Sequence, residues 1–218
     1  MTSAREQLLG LIFGSCCPGC GAPAEPICDS CLDRLIRSAA LLGPLPFHEC
    51  GATLSGATSG GSYGGALKSM VLSLKRGARR MAPPLWMLMR AAAGNDPDYC
   101  SPDCVCFVPS TRRRIKERGY NQAELLALLA SRDLGVPLSH SLTKTIKTPD
   151  QDTLDGQGRR KNLVGAFECT REVAGSKVLL VDDVLTTGST VRECASVLLD
   201  AGARSVFALV AARATLRN

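Results

Sequence analysis

The chain has 218 residues, with 26 Lys or Arg against 20 Asp or Glu and a formal charge of +6. That length suits one full core plus a small satellite, and a mixed surface of this kind suits phosphate-bearing ligands as well as nucleic acid. No apolar run reaches the roughly 18 residues of a membrane span, so no membrane insertion is expected.

Residues 8–16 (LLGLIFGSC) are apolar but too short to read as a signal core, and a short covering helix is expected there. Eleven cysteines in a chain without a readable secretory signal predict a cytoplasmic, reducing setting, with thiols kept for metal rather than for disulfides. Five of them fall within residues 16–31 (CCPGCGAPAEPICDSC). Cys17 with Cys20 and Cys28 with Cys31 form two CxxC knuckles, a spacing that offers four thiolates to a structural, tetrahedral Zn2+. Cys16 is the alternative to Cys17 by a shift of register, and the CxxC spacing favours Cys17. A helix is predicted over 32–42, stopped by Gly43, Pro44 and Pro46. These features make residues 1–50 a zinc-binding module with its following helix. His48 and Cys50 have no matching pair nearby and read as ordinary polar residues.

Residues 51–218 are expected to form the main domain. Residues 51–65 (GATLSGATSGGSYGG) carry no charge and read as a linker, or alternatively as a loosely packed segment with a strand near Tyr63. From there helical and strand periods alternate. Leu67, Met70, Val71 and Leu74 make a helical stripe; residues 104–109 (CVCFVP) read as a buried strand; residues 123–135 read as a helix closed by Gly135. SKVLLVDDV is a strand, STVRECASVLLDAGA an amphipathic helix and SVFALVAARA another strand. Such alternation implies parallel pairing through crossovers, hence an α/β class. Cys104, Cys106 and Cys194 are expected to be small buried hydrophobes, and no cysteine has the histidine partner of a nucleophile.

The chemistry is concentrated in residues 178–190, VLLVDDVLTTGST. Ligands of an open parallel sheet bind outside the carboxyl ends of its strands. Asp182 and Asp183 are expected at such an end, where ionised carboxylates accept bonds from vicinal hydroxyls. Thr186, Thr187, Gly188, Ser189 and Thr190, opening the next helix, form an anion cradle of amides and hydroxyls. A sugar phosphate satisfies both halves. A P-loop is excluded because the chain has no Gly-Lys pair. A second segment, VPSTRRRIKERGYNQAE, leaves the strand ending at Val108 and Pro109 and brings Arg112, Arg113, Arg114 and Arg118 toward the same sheet edge.

The Asp-Asp loop resembles the signature of type I phosphoribosyltransferases, which bind phosphoribosyl pyrophosphate (PRPP). That resemblance assigns the ribose hydroxyls to Asp182 and Asp183 and the 5-phosphate to residues 186–190. Together with Arg118 to Gln122 (RGYNQ), Thr148 to Gln151 and Arg159 to Asn162, the chain resembles the ComF family, which joins a zinc ribbon to a phosphoribosyltransferase-like domain. Two departures are visible: the strand before the basic segment reads Cys-Phe-Val-Pro, and Lys144 and Lys147 stand where arginines are frequent. The resemblance implies PRPP or another ribose 5-phosphate ligand, Mg2+ accompanying PRPP, and a role in DNA uptake with single-stranded DNA, a competence helicase or a recombination mediator as partners. It leaves homo-oligomerisation open. Arg112 to Arg118 and Lys75, the latter in the place of a pyrophosphate loop after the first core strand, would stabilise a departing diphosphate; Asn121 and Gln122 join the substrate site. The alternative expectation is an active Mg-dependent nucleobase phosphoribosyltransferase of nucleotide salvage. With only one Trp, three Tyr and five Phe, little aromatic surface is available for stacking bases of single-stranded DNA.

Overall fold

The computed structural model describes residues 16–45, 53–94, 96–145, 165–171 and 173–214. Residues 146–164, which hold Lys147, Thr148, Gln151, Arg159, Arg160 and Asn162, and residues 8–15, 48 and 50 lie outside the described part. Helix α1 (Asp29–Ala40) follows the cysteine knuckles, then come β1 (Gly56–Ser59), α2 (Gly65–Lys75), a 3-10 turn and α3 (Ala82–Ala93). The single-turn α4 (Pro97–Cys100) leads into β2 (Cys104–Phe107), α5 (Arg112–Arg118), α6 (Gln122–Leu134) and β3 (Leu138–Ser139). A small hairpin of β4 (Leu142–Lys144) and β5 (Phe167–Cys169) precedes β6 (Lys177–Leu185), α7 (Ser189–Asp200) and β7 (Ser205–Arg213).

Five strands form a parallel sheet in the order β1-β7-β6-β2-β3. Val178, Leu179, Leu180 and Val181 are fully buried at its centre, the unbroken aliphatic run of a parallel strand covered on both faces. Helices α3 and α6 pack together on one side, while α7 packs on β6, β7 and β5. From β2 the chain crosses through α6 to its outer neighbour β3; from β6 it crosses through α7 the opposite way to β7. Right-handed crossovers in opposite directions put their helices on opposite faces and leave a crevice between the two starting strands. That crevice opens between β2 and β6. Phe107, the last residue of β2, pairs with Val181, so Asp182 is the first residue of β6 beyond its neighbour's end.

The uncharged stretch 51–65 is part of the sheet rather than a linker. Gly56–Ser59 forms β1, paired with Phe207–Val210 ahead of Tyr63, and the Tyr63 N–H bonds to the Arg213 carbonyl. Its small residues have a steric reason. A Cβ at Gly56 would lie 3.1 Å from the Phe207 ring, and one at Gly60 only 2.9 Å from the Ala211 carbonyl. The basic run Arg112–Arg118 forms a helix capped by the Thr111 hydroxyl and ended by Gly119 at φ 79°. The cysteine module packs on the main body: α1 lies against α3, and Cys17, Ile27, Cys31 and Ala39 are buried with the rest of the core.

Gly60→Ala is expected to lower unfolding free energy by about 1–3 kcal/mol, the cost of forcing a methyl group into a filled space. Gly43→Ala, where a Cβ meets nothing within 4 Å, should be neutral to within about 0.5 kcal/mol. Urea denaturation of both variants checks the contrast.

Candidate functional site

Beyond the end of β2 the crevice widens into a cavity of about 370 Å3, within the range of small-molecule sites. Asp182 and Asp183 line it. One Asp182 carboxyl oxygen accepts the Asp183 backbone N–H at 2.8 Å, and Asp183 pairs with the Lys75 ammonium at 3.1 Å. With 14% of the Asp183 side chain and 28% of Lys75 exposed, this pair sits where water only partly screens it. Burial, reinforced by the negative charge of Asp183, pushes Asp182 up to about 8, against the pull of the Asp183 N–H and Lys75. The buried Cys194 thiol is raised in turn by its own burial and by Asp182. Asp182 is thus held toward its protonated form, in which a carboxyl donates as well as accepts hydrogen bonds. That suits a diol, each of whose hydroxyls does the same.

After β6 the chain turns at Gly188, whose φ of 73° begins α7. Thr186 and Thr190 line the cavity. Between them, the Thr187 and Ser189 hydroxyls lie 2.9 Å apart and Arg192 donates to the Thr187 carbonyl at 2.8 Å. This arginine went unnoticed in the sequence because it lies one turn inside an ordinary amphipathic helix.

The opposite wall comes from the β2 side. Ser110 and Thr111 contribute hydroxyls, and Arg114 and Arg118 contribute charge. Arg112 and Arg113 are exposed on α5 and are not among the cavity-lining residues; Arg113 instead bonds Glu117 at 2.9 Å. The seven-residue helix explains the split, since successive positions turn to different sides. Asn121 lines the cavity with 4% of its surface exposed, but both ends of its amide are engaged: it donates to the Val108 carbonyl at 3.0 Å and accepts the Ala123 N–H at 3.2 Å, capping α6. Gln122, 2% exposed, accepts from Arg118 at 3.0 Å.

Tyr63 and Lys144 also line the cavity and, like Ser110 and Thr111, were not singled out as ligand contacts in the sequence. Tyr63 was hidden by the linker reading. Lys144 lies over the Phe167 ring at 5.3 Å from its centroid, and burial together with Arg114 lowers its affinity for a proton. Lys75 reaches the cavity from the far end of α2, whereas the loop directly after the first core strand is residues 60–64. Four basic side chains, Lys75, Arg114, Arg118 and Lys144, thus face two acids across one opening, a balance that favours a polyanion.

Away from the cavity, the sulfurs of Cys17, Cys20, Cys28 and Cys31 all lie within 4.8 Å of one another, and those of Cys20 and Cys28 are 3.6 Å apart. Thiolates on a tetrahedral metal at about 2.3 Å are separated by about 3.8 Å, so the cluster has the dimensions of a metal site. Its surroundings fit as well. Burial alone would raise the Cys17 thiol, but the N–H groups of Cys28, Cys20 and Gly19 bring it down to about 6. A Cβ at Gly19 would fall 2.8 Å from the Cys31 sulfur. Cys16 is outside this group and bridges to Pro23 through its backbone.

The acid pair carries a testable cost. Asp182 titrates near 8 when folded and near 3.8 as an unperturbed carboxyl, so between those values the native chain holds more protons than the unfolded one and stability falls as pH rises. Asp182→Asn removes that loss. Its thermal midpoint relative to wild type should therefore rise progressively from pH 4 to pH 8. Melts of both proteins across that range measure it.

The family described as a phosphoribosyl transferase domain matches residues 121–216. The DNA utilization protein YhgH of Salmonella typhi is 33% identical over 200 residues, covering 88% of this chain and 81% of that protein. Its namesake from Escherichia coli O157:H7 is 43% identical over 106 residues, 48% of this chain and 47% of that one, so the chain spans about half the length of the E. coli relatives it matches. Competence protein F of Haemophilus influenzae is 38% identical over 117 residues, 52% of this chain and 51% of its own. With four fifths of the Salmonella protein aligned and the phosphoribosyl transferase domain covering the acid-pair half, the chain belongs to the ComF family.

Proposed function

We propose that this protein binds PRPP, or a nucleotide carrying ribose 5-phosphate, in the cavity between β2 and β6, and that it serves DNA uptake in natural transformation. One observation carries the ligand assignment: the adjacent acids Asp182 and Asp183 line a single opening alongside Thr186 and Thr190 at the start of α7 and the cationic wall of Arg114 and Arg118. The acids meet the ribose hydroxyls, the Thr186–Thr190 turn takes the 5-phosphate, and the cations face the diphosphate, which brings Mg2+ with it. Among the described residues, no side chain lining the opening has the arrangement of a covalent nucleophile. Any transfer reaction would therefore rest on holding a cationic sugar and an anionic leaving group apart.

The names of the relatives support the biological process, since they refer to DNA utilization and competence. In this reading the exposed side of α5, with Arg112, Arg113 and Lys116, faces single-stranded DNA or a protein partner while Arg114 and Arg118 serve the cavity. The four-cysteine cluster holds Zn2+, which supplies cross-linking of a module too small to bury its own core.

Two measurements test these assignments. Calorimetry with PRPP and Mg2+ should show binding to wild type, reduced at least about 100-fold in Asp182→Asn/Asp183→Asn, since each charge-assisted bond contributes roughly 1.5–3 kcal/mol. Unchanged affinity in that variant would remove the sugar-phosphate reading. Pyrophosphate release in the presence of nucleobases would add catalysis to binding. Metal analysis should find one zinc per chain, and Cys20→Ser or a strong chelator should remove it and lower the thermal midpoint by well over 5 °C, as expected when a metal-dependent module unfolds.

A further inference from the structure

The sequence RGYNQ contains one residue that touches neither acid yet joins both walls of the cavity. Tyr120 sits in the corner between α5 and α6, directly after Gly119. Its phenol donates a hydrogen bond to the Leu74 carbonyl, in the last turn of α2. The residue after Leu74 is Lys75, which holds Asp183 at 3.1 Å. On the other side of the same corner, Arg118 donates to Gln122 at 3.0 Å, and both line the cavity. Arg79 completes the junction, with its guanidinium 4.6 Å from the Tyr120 ring centroid and a 3.0 Å bond to the Gly119 carbonyl.

We infer that Tyr120 is a positioning residue that fixes Lys75 on Asp183 and locks it to the Arg118 wall, so that the cations facing a diphosphate are held as one rigid unit. This rests on the sugar-phosphate reading for its ligand but not for its geometry. A lysine has four rotatable bonds and keeps a defined place only when its helix end is fixed. The carbonyls of a helix's final turn lack partners within the helix; that of Leu74 accepts the Gly77 N–H at 3.2 Å, and the phenol bonded to the same oxygen clamps the turn from outside. The half-buried ring adds apolar contact, and the stacked guanidinium holds the ring's orientation. The consequence is selective. A ligand with a diphosphate uses both cationic walls, whereas ribose 5-phosphate uses the acid pair and the threonine turn.

Three readouts on the full-length protein test the inference. Tyr120→Phe keeps the ring and loses the phenol's bond to Leu74 together with its contact with the Gln122 amide. Its affinity for PRPP with Mg2+ should fall about 3- to 10-fold, the range for one hydrogen bond, with ribose 5-phosphate affinity unchanged. In a Lys75→Met background the same substitution should have no further effect on PRPP, because Tyr120 acts through Lys75. Without any ligand, acetylation of Lys75 followed by mass spectrometry should be several-fold faster in Tyr120→Phe than in wild type, while Lys177, paired with Asp98 far from the corner, serves as the reference and stays constant. Equal losses for both sugars, additive effects with Lys75→Met, or unchanged Lys75 acetylation would each overturn it. If wild type does not bind PRPP, the sugar-phosphate reading falls, and the acetylation comparison alone decides the role of Tyr120.

Discussion

Two neighbouring carboxyls at the end of a buried strand repel each other, and the site is arranged around that repulsion. Like charges about 4 Å apart cost on the order of 4 kcal/mol at an effective dielectric of 20. The protein limits the cost in three ways: Asp182 keeps its proton near neutral pH, Lys75 neutralises Asp183, and the Asp183 N–H bonds the Asp182 carboxyl. What remains is a group that gives and takes hydrogen bonds at fixed positions. Such residual strain is characteristic of a site kept for ligand at the expense of stability.

The sheet makes that arrangement possible. The acids lie one step beyond the end of β2 because β2 stops opposite Val181 while β6 continues to Leu185 beside β7. Opposite crossovers from β2 and β6 then hold the two walls apart. The threonine turn opens α7 on one side, and the Ser110–Thr111 loop leads into the basic helix on the other. Charge and shape thus come from topology first and from individual side chains second.

Much of this was legible in the order of residues. An aliphatic run followed by two acids and a hydroxyl-rich turn can be little other than a central parallel strand meeting a ligand, and the paired CxxC knuckles announce their cluster by spacing alone. What could not be read depends on contacts distant in sequence. The Gly-rich edge strand looks like a linker until Phe207 and Ala211 are seen pressing on it. Lys144 gains its place only when the β4–β5 hairpin forms. The division of the arginine run follows from helical turn, which a short polar segment does not reveal by periodicity. Asn121 is the subtlest case: it lines the opening, and its amide also bonds Val108 and Ala123, so it shapes the wall by fixing the start of α6.

The packing of α1 on α3 gives the cysteine knuckles a significance beyond their own fold. Helix α3 rests on β1, β7 and α6, and α6 begins at the corner that carries Gln122. A disturbance at the cysteine cluster therefore has a continuous path of close-packed side chains into the main sheet, and the chain should melt as one cooperative body instead of shedding its N-terminal part first. With zinc in the cluster and a sugar phosphate in the opening, as proposed, metal supply and ligand capture would rise and fall together.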